Sequence, residues 1–208
     1  MDVTSGAIAF GAGLVLALAL SLAPGRRLQA LVVASQTGRA TTARMLAGYA
    51  ISEVVYAAGL ATAALGFALL PERWHAFGFG GAALFFAAFA AYQLVSRSWR
   101  AVPDGVVLPA GMPQTAVSAS SNAGIWFDML LPGALLATAL GPARDAIPLV
   151  ATGYLVGAMA WYLAVVAAAR TAWFRRDPQI FWRPAVGVMV AAGVALGVVL
   201  AGIALRMW

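Results

Sequence analysis

The sequence predicts an all-α integral membrane protein in which six helices cross the bilayer. Of its 208 residues, 63% are hydrophobic and only 10% are charged, and the mean hydropathy is +0.89. A soluble domain is about 45–50% apolar and about 25% charged, so this chain has too few charges to cover a water-exposed surface. The apolar residues also occur in runs of the roughly 20 residues that a helix needs to cross the hydrocarbon core.

Six runs are long enough to be spans. They cover about residues 5–24, 45–70, 76–96, 118–140, 146–169 and 184–205. No basic segment precedes the first run, so we expect it to be a span rather than a cleaved signal peptide. Nothing divides the chain, which predicts a single polytopic membrane domain over 1–208. Six spans separate into three plus three, and an odd number in each half would make an internal repeat inverted.

The arginines are distributed unequally between the two sides of the predicted bundle. The segments 25–44, 97–117 and 170–183 hold ten of the thirteen basic residues, all of them arginine, and the opposite side holds three. Cytoplasmic loops carry the excess of basic residues. We therefore expect these three segments to face the cytoplasm of a bacterial inner membrane, with both termini outside. Because the arginines are accounted for by orientation, the net charge of +6 predicts no nucleic-acid partner.

Several kinds of chemistry are excluded or disfavoured by composition. The absence of cysteine excludes disulfides and thiolate metal sites. His75 is the only histidine, so one chain cannot supply two histidines to a haem. No lysine exists to complete a Walker motif, and no nucleophile pair or metal-ligand spacing occurs. We expect no enzyme activity and no cofactor.

Two carboxylates lie within the predicted spans: Glu53 in the second and Asp128 in the fourth. A charged side chain at the bilayer centre costs about 2.5–3.5 kcal/mol on insertion scales. Such residues face the bundle interior, where they pair, titrate or bind a ligand. A role in binding substrate or protons is one interpretation, and a hydrogen-bonded carboxylate that locks two helices together is the other.

Proline and glycine interrupt the two halves at corresponding places. Residues 21–25 read SLAPG and residues 129–133 read MLLPG, so Pro24 and Gly25 correspond to Pro132 and Gly133. Paired interruptions of this kind indicate a transporter site at a repeat interface; a helix end and an unrelated kink are the alternative. Pro132 also has no N–H, which removes the helical partner of the Asp128 carbonyl.

Other polar residues could contribute to the same site. They are Gln29, Gln36, Ser52, Tyr56, Gln93, Ser121 and Asn122. Gln29 falls on a second half-helix expected over 28–36. Arg26 and Arg27 either set orientation or pair with a carboxylate. Two GxxxG pairs, Gly153/Gly157 and Gly193/Gly197, predict close helix packing, and a homodimer could use these faces.

The order of these motifs resembles the lysine/arginine exporter branch (LysE and ArgO) of the LysE amino-acid exporter superfamily. The residues that carry the resemblance are PGRRLQ at 24–29, QTGR at 36–39, Ser52-Glu53, NAGIWFD at 122–128, Trp161 and Trp182-Arg183. The family motif at the first position has a second proline, and its fourth helix begins with Asn-Pro, whereas alanine follows Asn122 here. The resemblance implies a 3+3 inverted-repeat exporter in which both halves bring a carboxylate, Glu53 and Asp128, to one site.

These observations lead to two functional hypotheses. The first is a secondary transporter that exports a cationic or neutral amino acid, or a similar small solute, in exchange for protons. The second is a membrane subunit that descends from such an exporter and serves as an assembly partner in a larger complex. The two differ in whether Glu53 and Asp128 line one cavity or lie in separate, dry hydrogen bonds.

Overall fold

A computed structural model describes residues 3–22, 26–96, 108–109, 111–120, 132–136, 139 and 145–207. Within these residues the secondary structure is helical, and no strand occurs. The helices are α1 (Val3–Ser21), α2 (Arg26–Thr37), α3 (Arg39–Ala68), α4 (Glu72–Ser96), α5 (Met112–Ser120), α6 (Ile147–Ala169), α7 (Ala172–Arg176) and α8 (Gln179–Met207). Residues 132–136 are also helical.

Four of these helices are long and apolar enough to cross a membrane: α3, α6, α8 and the segment Trp74–Ser96 of α4. The apolar part of α1, Ser5–Ser21, is shorter. Large apolar side chains on the outer faces of the long helices are exposed, among them Val54, Leu84 and Val198. The chain is therefore a helical membrane protein with apolar faces suited to contact with lipid.

The predicted span boundaries can be compared with these helices. The runs at 5–24, 76–96 and 146–169 coincide closely with α1, α4 and α6. The fourth run, 118–140, lies largely outside the described residues. The sixth run, 184–205, corresponds to α8, which begins earlier, at Gln179, and includes Pro184 as an internal residue.

The largest difference concerns residues 25–44, which hydropathy assigns mainly to a loop. The half-helix expected over 28–36 is confirmed by α2, but α3 begins already at Arg39 rather than at residue 45. Arg39 and Arg44 are exposed on this first part of α3. Hydropathy detects only the apolar part of a helix, so a solvated, charged first turn is missed. The hydroxyl of Thr42 lies 3.1 Å from the Ala34 carbonyl and 2.8 Å from the Gly38 carbonyl, and so ties the two helices together.

The helices pack in a defined order around α6, which contacts α1, α2 and α3. Helix α1 also packs on α8, α8 packs on α4, and α3 packs on α2 and α5. Because α2 contacts both α3 and α6, the short helix is held against the interior of the bundle. This placement brings its first residues next to the buried faces of two long helices.

The closest of these contacts joins α1 to α6 through small residues. A Cβ on Gly153 would collide with the backbone carbonyl of Phe10, and one on Gly13 would collide with the carbonyl of Val150. A Cβ on Gly157 would lie 2.7 Å from that of Ala17. The pair Gly153/Gly157 is thus a helix-packing motif, as predicted.

The second pair, Gly193 and Gly197, packs less tightly. A Cβ on Gly193 would meet Phe86 at 3.9 Å, and one on Gly197 would meet the Ala83 carbonyl at 3.4 Å. Both glycines are buried. They form part of the contact between α8 and α4 within this chain, so this face is already occupied.

We predict that Gly153→Ala destabilises the protein by about 1–3 kcal/mol, the usual range for overpacking. The added methyl group meets backbone atoms of α1, which cannot move aside as a side chain would. Thermal unfolding in detergent, followed by circular dichroism, measures the effect. The matched control is Gly187→Ala, because among the described residues no atom beyond the adjoining turns of its own helix lies within 4 Å of the position of its Cβ. Equal melting temperatures for the two variants would contradict the packing described for α1 and α6.

Candidate functional site

Glu53 lies inside the bundle with an exposed fraction of 0%. Its Oε1 atom lies 2.8 Å from Nη2 of Arg27, and the two residues form an ion pair. The Tyr162 hydroxyl donates a hydrogen bond to the same oxygen at 2.5 Å. The pair therefore joins three helices, because Arg27 belongs to α2, Glu53 to α3 and Tyr162 to α6.

The guanidinium group of Arg27 is surrounded by tyrosines. Its Cζ atom lies 4.7 Å from the ring centroid of Tyr49, 5.4 Å from that of Tyr162 and 5.7 Å from that of Tyr56. Cations within about 6 Å of an aromatic ring are attracted by its quadrupole, and the attraction grows when water is excluded. The tyrosines and Glu53 together form a cage for one cation, which Arg27 occupies.

The buried face of α3 supplies most of this cage. Tyr49 precedes Ser52 and Glu53 by three and four residues, and Tyr56 follows them by four and three, so all four share one face of the helix, and all four are buried. Nη2 of Arg27 also donates to Ser52 Oγ at 3.1 Å. The Tyr49 hydroxyl donates to the backbone carbonyl of Arg27 at 2.9 Å, which fixes the start of α2 as well as its side chain.

Two further residues connect the cage to its surroundings. The Tyr56 hydroxyl donates to the carbonyl of Ala119 at the end of α5. Tyr154 of α6 is buried and lies close enough to Glu53 and Arg27 to interact with both charges, and it also interacts with Ser21. Polar side chains therefore extend from the end of α1 to α5 through an otherwise apolar interior.

Some polar atoms at this site have no hydrogen-bond partner within the described residues. Buried atoms of this kind at the site are Glu53 Oε2 and Arg27 Nε, and Ser21 Oγ, which interacts with Tyr154, also lacks a hydrogen bond of good geometry. A buried polar group left unpaired costs about 1–3 kcal/mol, and more if it is charged. The set contains a carboxylate acceptor, a guanidinium N–H donor and a hydroxyl, which suits a small polar ligand or ordered water.

The structure describes part of the predicted site. Glu53 and Ser52 are brought together with Arg27, for which the sequence left orientation and carboxylate pairing open. Gln29 is half-buried on α2, and Pro132 is buried in the helical segment 132–136. Asp128, Asn122, Ser121, Pro24 and Gly25 lie outside the described residues. Gln36 is exposed, and Gln93 is buried on α4 with its Oε1 atom unpaired.

The tyrosines are the residues that the sequence analysis missed. Tyr49, Tyr154 and Tyr162 were not singled out, although each contacts or acts on the ion pair. A signal was present: all five tyrosines lie inside the predicted spans, and Tyr49 and Tyr56 stand four residues before and three after Glu53. The fifth, Tyr92, is exposed and lies away from the site.

Comparison of the chain with protein-family models, with curated proteins and with solved structures finds no match. The resemblance to the amino-acid exporters therefore stays a prediction that rests on the motifs alone.

We predict unequal effects when the ion pair is broken from either side. Arg27→Gln deprives the fully buried Glu53 of its cation, so the carboxylate must take up a proton, and the protein is destabilised by about 3–5 kcal/mol. Glu53→Gln costs less, because Arg27 retains the tyrosine rings and is 16% exposed. The double variant Arg27→Gln/Glu53→Gln is more stable than Arg27→Gln alone, since no charge remains buried.

Thermal unfolding of the four proteins in one detergent completes this double-mutant cycle. Tyr92→Phe serves as a control substitution that should leave the melting temperature unchanged, because the Tyr92 ring is exposed. Additive effects of the two substitutions would show that the residues do not form a coupled pair.

Proposed function

We propose that the chain is a secondary transporter that exports an amino acid or a similar small solute by exchange with protons. The observation that carries this proposal is the incomplete hydrogen bonding of the buried ion pair. Among the described residues, neither Glu53 Oε2 nor Arg27 Nε has a hydrogen-bond partner of good geometry, although the Tyr154 hydroxyl lies near the Glu53 carboxylate. A pair kept only for stability gains from complete hydrogen bonding of both charges, because desolvation of a buried pair is compensated only when the remaining lone pairs and protons are satisfied.

The mechanism follows from the cost of leaving Glu53 alone. A buried carboxylate without a partner is strongly destabilising, so it must be neutralised at every stage. Arg27, a proton and a cationic group of the substrate are three alternative neutralising partners. When one of them leaves Glu53, another takes its place. This exclusivity is what an exchanger requires.

Exchange with a proton also solves an energetic problem of export. A cation that leaves a cell with a negative interior moves against about 2.3 kcal/mol per charge per 100 mV. One proton entering for each cation leaving cancels that charge movement. A neutral solute would instead use the inward proton gradient as its driving force.

Alternating access requires a helix that can change its conformation near the site. Arg27 lies in the first turn of α2, which is too short to be a span. We propose that this short helix moves with respect to α3 and α6 during transport. In this proposal Pro24 and Gly25 form the hinge that precedes it, and Pro132 is the corresponding break in a second, inverted half of three spans. Asp128, with Asn122, supplies the second carboxylate of the central site, and Gln29 and Ser52 line it.

We also propose where the protein resides and how it is oriented. The protein resides in a bacterial inner membrane as a six-span domain with both termini outside the cytoplasm, as the arginine distribution predicts. It acts as a transporter and not as an enzyme. Its partners are a small-molecule substrate and the lipid bilayer, with assembly into a homodimer open to test.

One observation favours a second candidate, a non-transporting subunit of a larger membrane complex. Glu53 is completely buried, and its Oε1 atom is bound by both Arg27 and Tyr162. Such a contact could lock α2 to α3 and α6 permanently. In that case an exposed apolar face of the bundle would dock on a partner protein rather than on lipid alone.

We predict that the purified protein in liposomes releases a labelled amino acid when a proton gradient is imposed. Lysine, arginine and a neutral amino acid are the first substrates to test. Glu53→Gln and Asp128→Asn reduce the rate to that of protein-free vesicles, because each removes an ionisable group from the proposed site.

Asp145→Asn is the matched control, since Asp145 is an exposed carboxylate outside the site. It should transport at the rate of the unchanged protein. Folding of each variant is checked by gel filtration and melting temperature. Full activity of Glu53→Gln would contradict the mechanism, and co-purification of a stable partner without any efflux would favour the subunit.

A further inference from the structure

A second charged region lies at one end of the bundle, away from the Glu53 site. The end of α6, helix α7 and the start of α8 carry Arg170, Arg175, Arg176 and Arg183, and all four side chains are exposed. The first turns of α3 add Arg39 and Arg44. Nη2 of Arg170 donates to Thr42 Oγ1 at 3.5 Å, which places the two groups side by side. We call these six residues the arginine surface.

Aromatic packing holds this surface in shape. Phe174 of α7 is buried and lies 5.6 Å from Phe181 and 6.1 Å from Trp182 between ring centroids. Thr171 caps α7 by accepting a hydrogen bond from the Phe174 amide at 3.4 Å. Because Phe174 fixes the inner face of α7, Arg175 and Arg176 in its last turn are directed outward.

The charge of the arginine surface is not neutralised within the described residues. Among the described residues the ion pair is Arg27–Glu53, and neither of these residues belongs to the arginine surface. Asp177 is the one described carboxylate on this surface, and its Oδ1 atom accepts a hydrogen bond from the Gln179 amide at 3.0 Å. Six exposed guanidinium groups therefore face a single carboxylate that already caps α8.

We propose that the arginine surface binds the phosphate headgroups of anionic phospholipids in the adjoining leaflet. Guanidinium groups bind phosphate oxygens in pairs, which favours arginine for this contact. A basic cluster beside a membrane helix is attracted to anionic lipid. This inference does not depend on the proposed transport function.

The location of the arginine surface next to the ends of two candidate spans favours a lipid headgroup over a soluble anion as its ligand. Arg170 directly follows the candidate span Ile147–Ala169, and Arg183 lies in the first part of the candidate span Gln179–Met207. Beside them Trp173 is 43% exposed and Ile180 is 60% exposed. A tryptophan next to a span end sits at the level of the headgroups, and an exposed isoleucine there contacts acyl chains. The same residues thus offer a polar contact to the phosphate and an apolar one to the lipid tail.

The test is a lipid titration of the full chain in a neutral detergent, read by native mass spectrometry. Short-chain phosphatidylglycerol is the anionic probe, and phosphatidylcholine with the same chains is the reference. We expect phosphatidylglycerol to bind more tightly than phosphatidylcholine, and more weakly as salt is raised. Arg175→Gln/Arg176→Gln should weaken phosphatidylglycerol binding about 25-fold, at about fivefold for each basic residue near an anionic headgroup.

Arg206→Gln is the matched control, because Arg206 is an exposed arginine at the opposite end of α8. It should leave the affinity unchanged. Melting temperatures without lipid confirm that the double variant is folded. The proposal is overturned if the two lipids bind alike, if the double variant binds as the unchanged protein does, or if Arg206→Gln has an equal effect. Displacement of the lipid by equimolar inorganic phosphate or by an acidic peptide would also overturn it, since the occupant would then not be a lipid.

Discussion

The interior of this protein is organised by the need to neutralise one buried carboxylate. Glu53 is fully buried on α3, where an unpaired charge is not tolerated. Arg27 meets that need, and in doing so it draws the start of α2 between α3 and α6. Tyr49 then holds the backbone of Arg27 through its hydroxyl, and Tyr162 binds the same carboxylate oxygen as the arginine. The position of a short, polar helix inside an apolar bundle follows from this contact.

Close packing of α1 on α6 fixes the helix whose tyrosines contact the ion pair. Gly13 and Gly153 allow the backbones of α1 and α6 to approach until a methyl group would not fit between them. This contact fixes α6, the helix that presents Tyr154 and Tyr162 to the charges. Small residues therefore set where the helices lie, and tyrosines on the neighbouring stripe of α6 set what the interior can bind.

The two charged regions of the molecule differ in a way that matters for function. The interior charge of Glu53 is balanced by Arg27. The arginines at the end of α6, on α7 and near the start of α8 have no carboxylate partners among the described residues. A balanced pair with unsatisfied atoms suits the exchange of one partner for another. An unbalanced surface next to the span ends suits an external anion, and the bilayer offers one at that depth.

The sequence predicts the helical membrane architecture because apolar runs of sufficient length have no other stable arrangement in lipid. The limits of α6 follow from its apolar run, whereas the start of α3 does not, since Arg39 and Arg44 lie on a helical turn that hydropathy assigns to a loop. Glu53 is predictable as a buried, functional candidate from its cost in an apolar span. Its pairing with Arg27 is only one of the alternatives that the sequence leaves open, because Arg27 is 26 residues away and reaches Glu53 only after α2 folds back on α3. The tyrosine cage depends in the same way on the rotation of α6, which apolar periodicity leaves open when nearly every position is apolar.

The central claim is that Glu53 is ionised and neutralised by Arg27 in the resting protein. Infrared difference spectroscopy of the protein in liposomes at neutral pH, with Glu53→Gln subtracted from the unchanged chain, tests it directly. The account predicts that the substitution removes the stretching bands of an ionised carboxylate, and that in an Arg27→Gln background it removes the carbonyl band of a protonated acid instead. Loss of a protonated-acid band in the unchanged background would contradict the account, because Glu53 would then be neutral without the arginine.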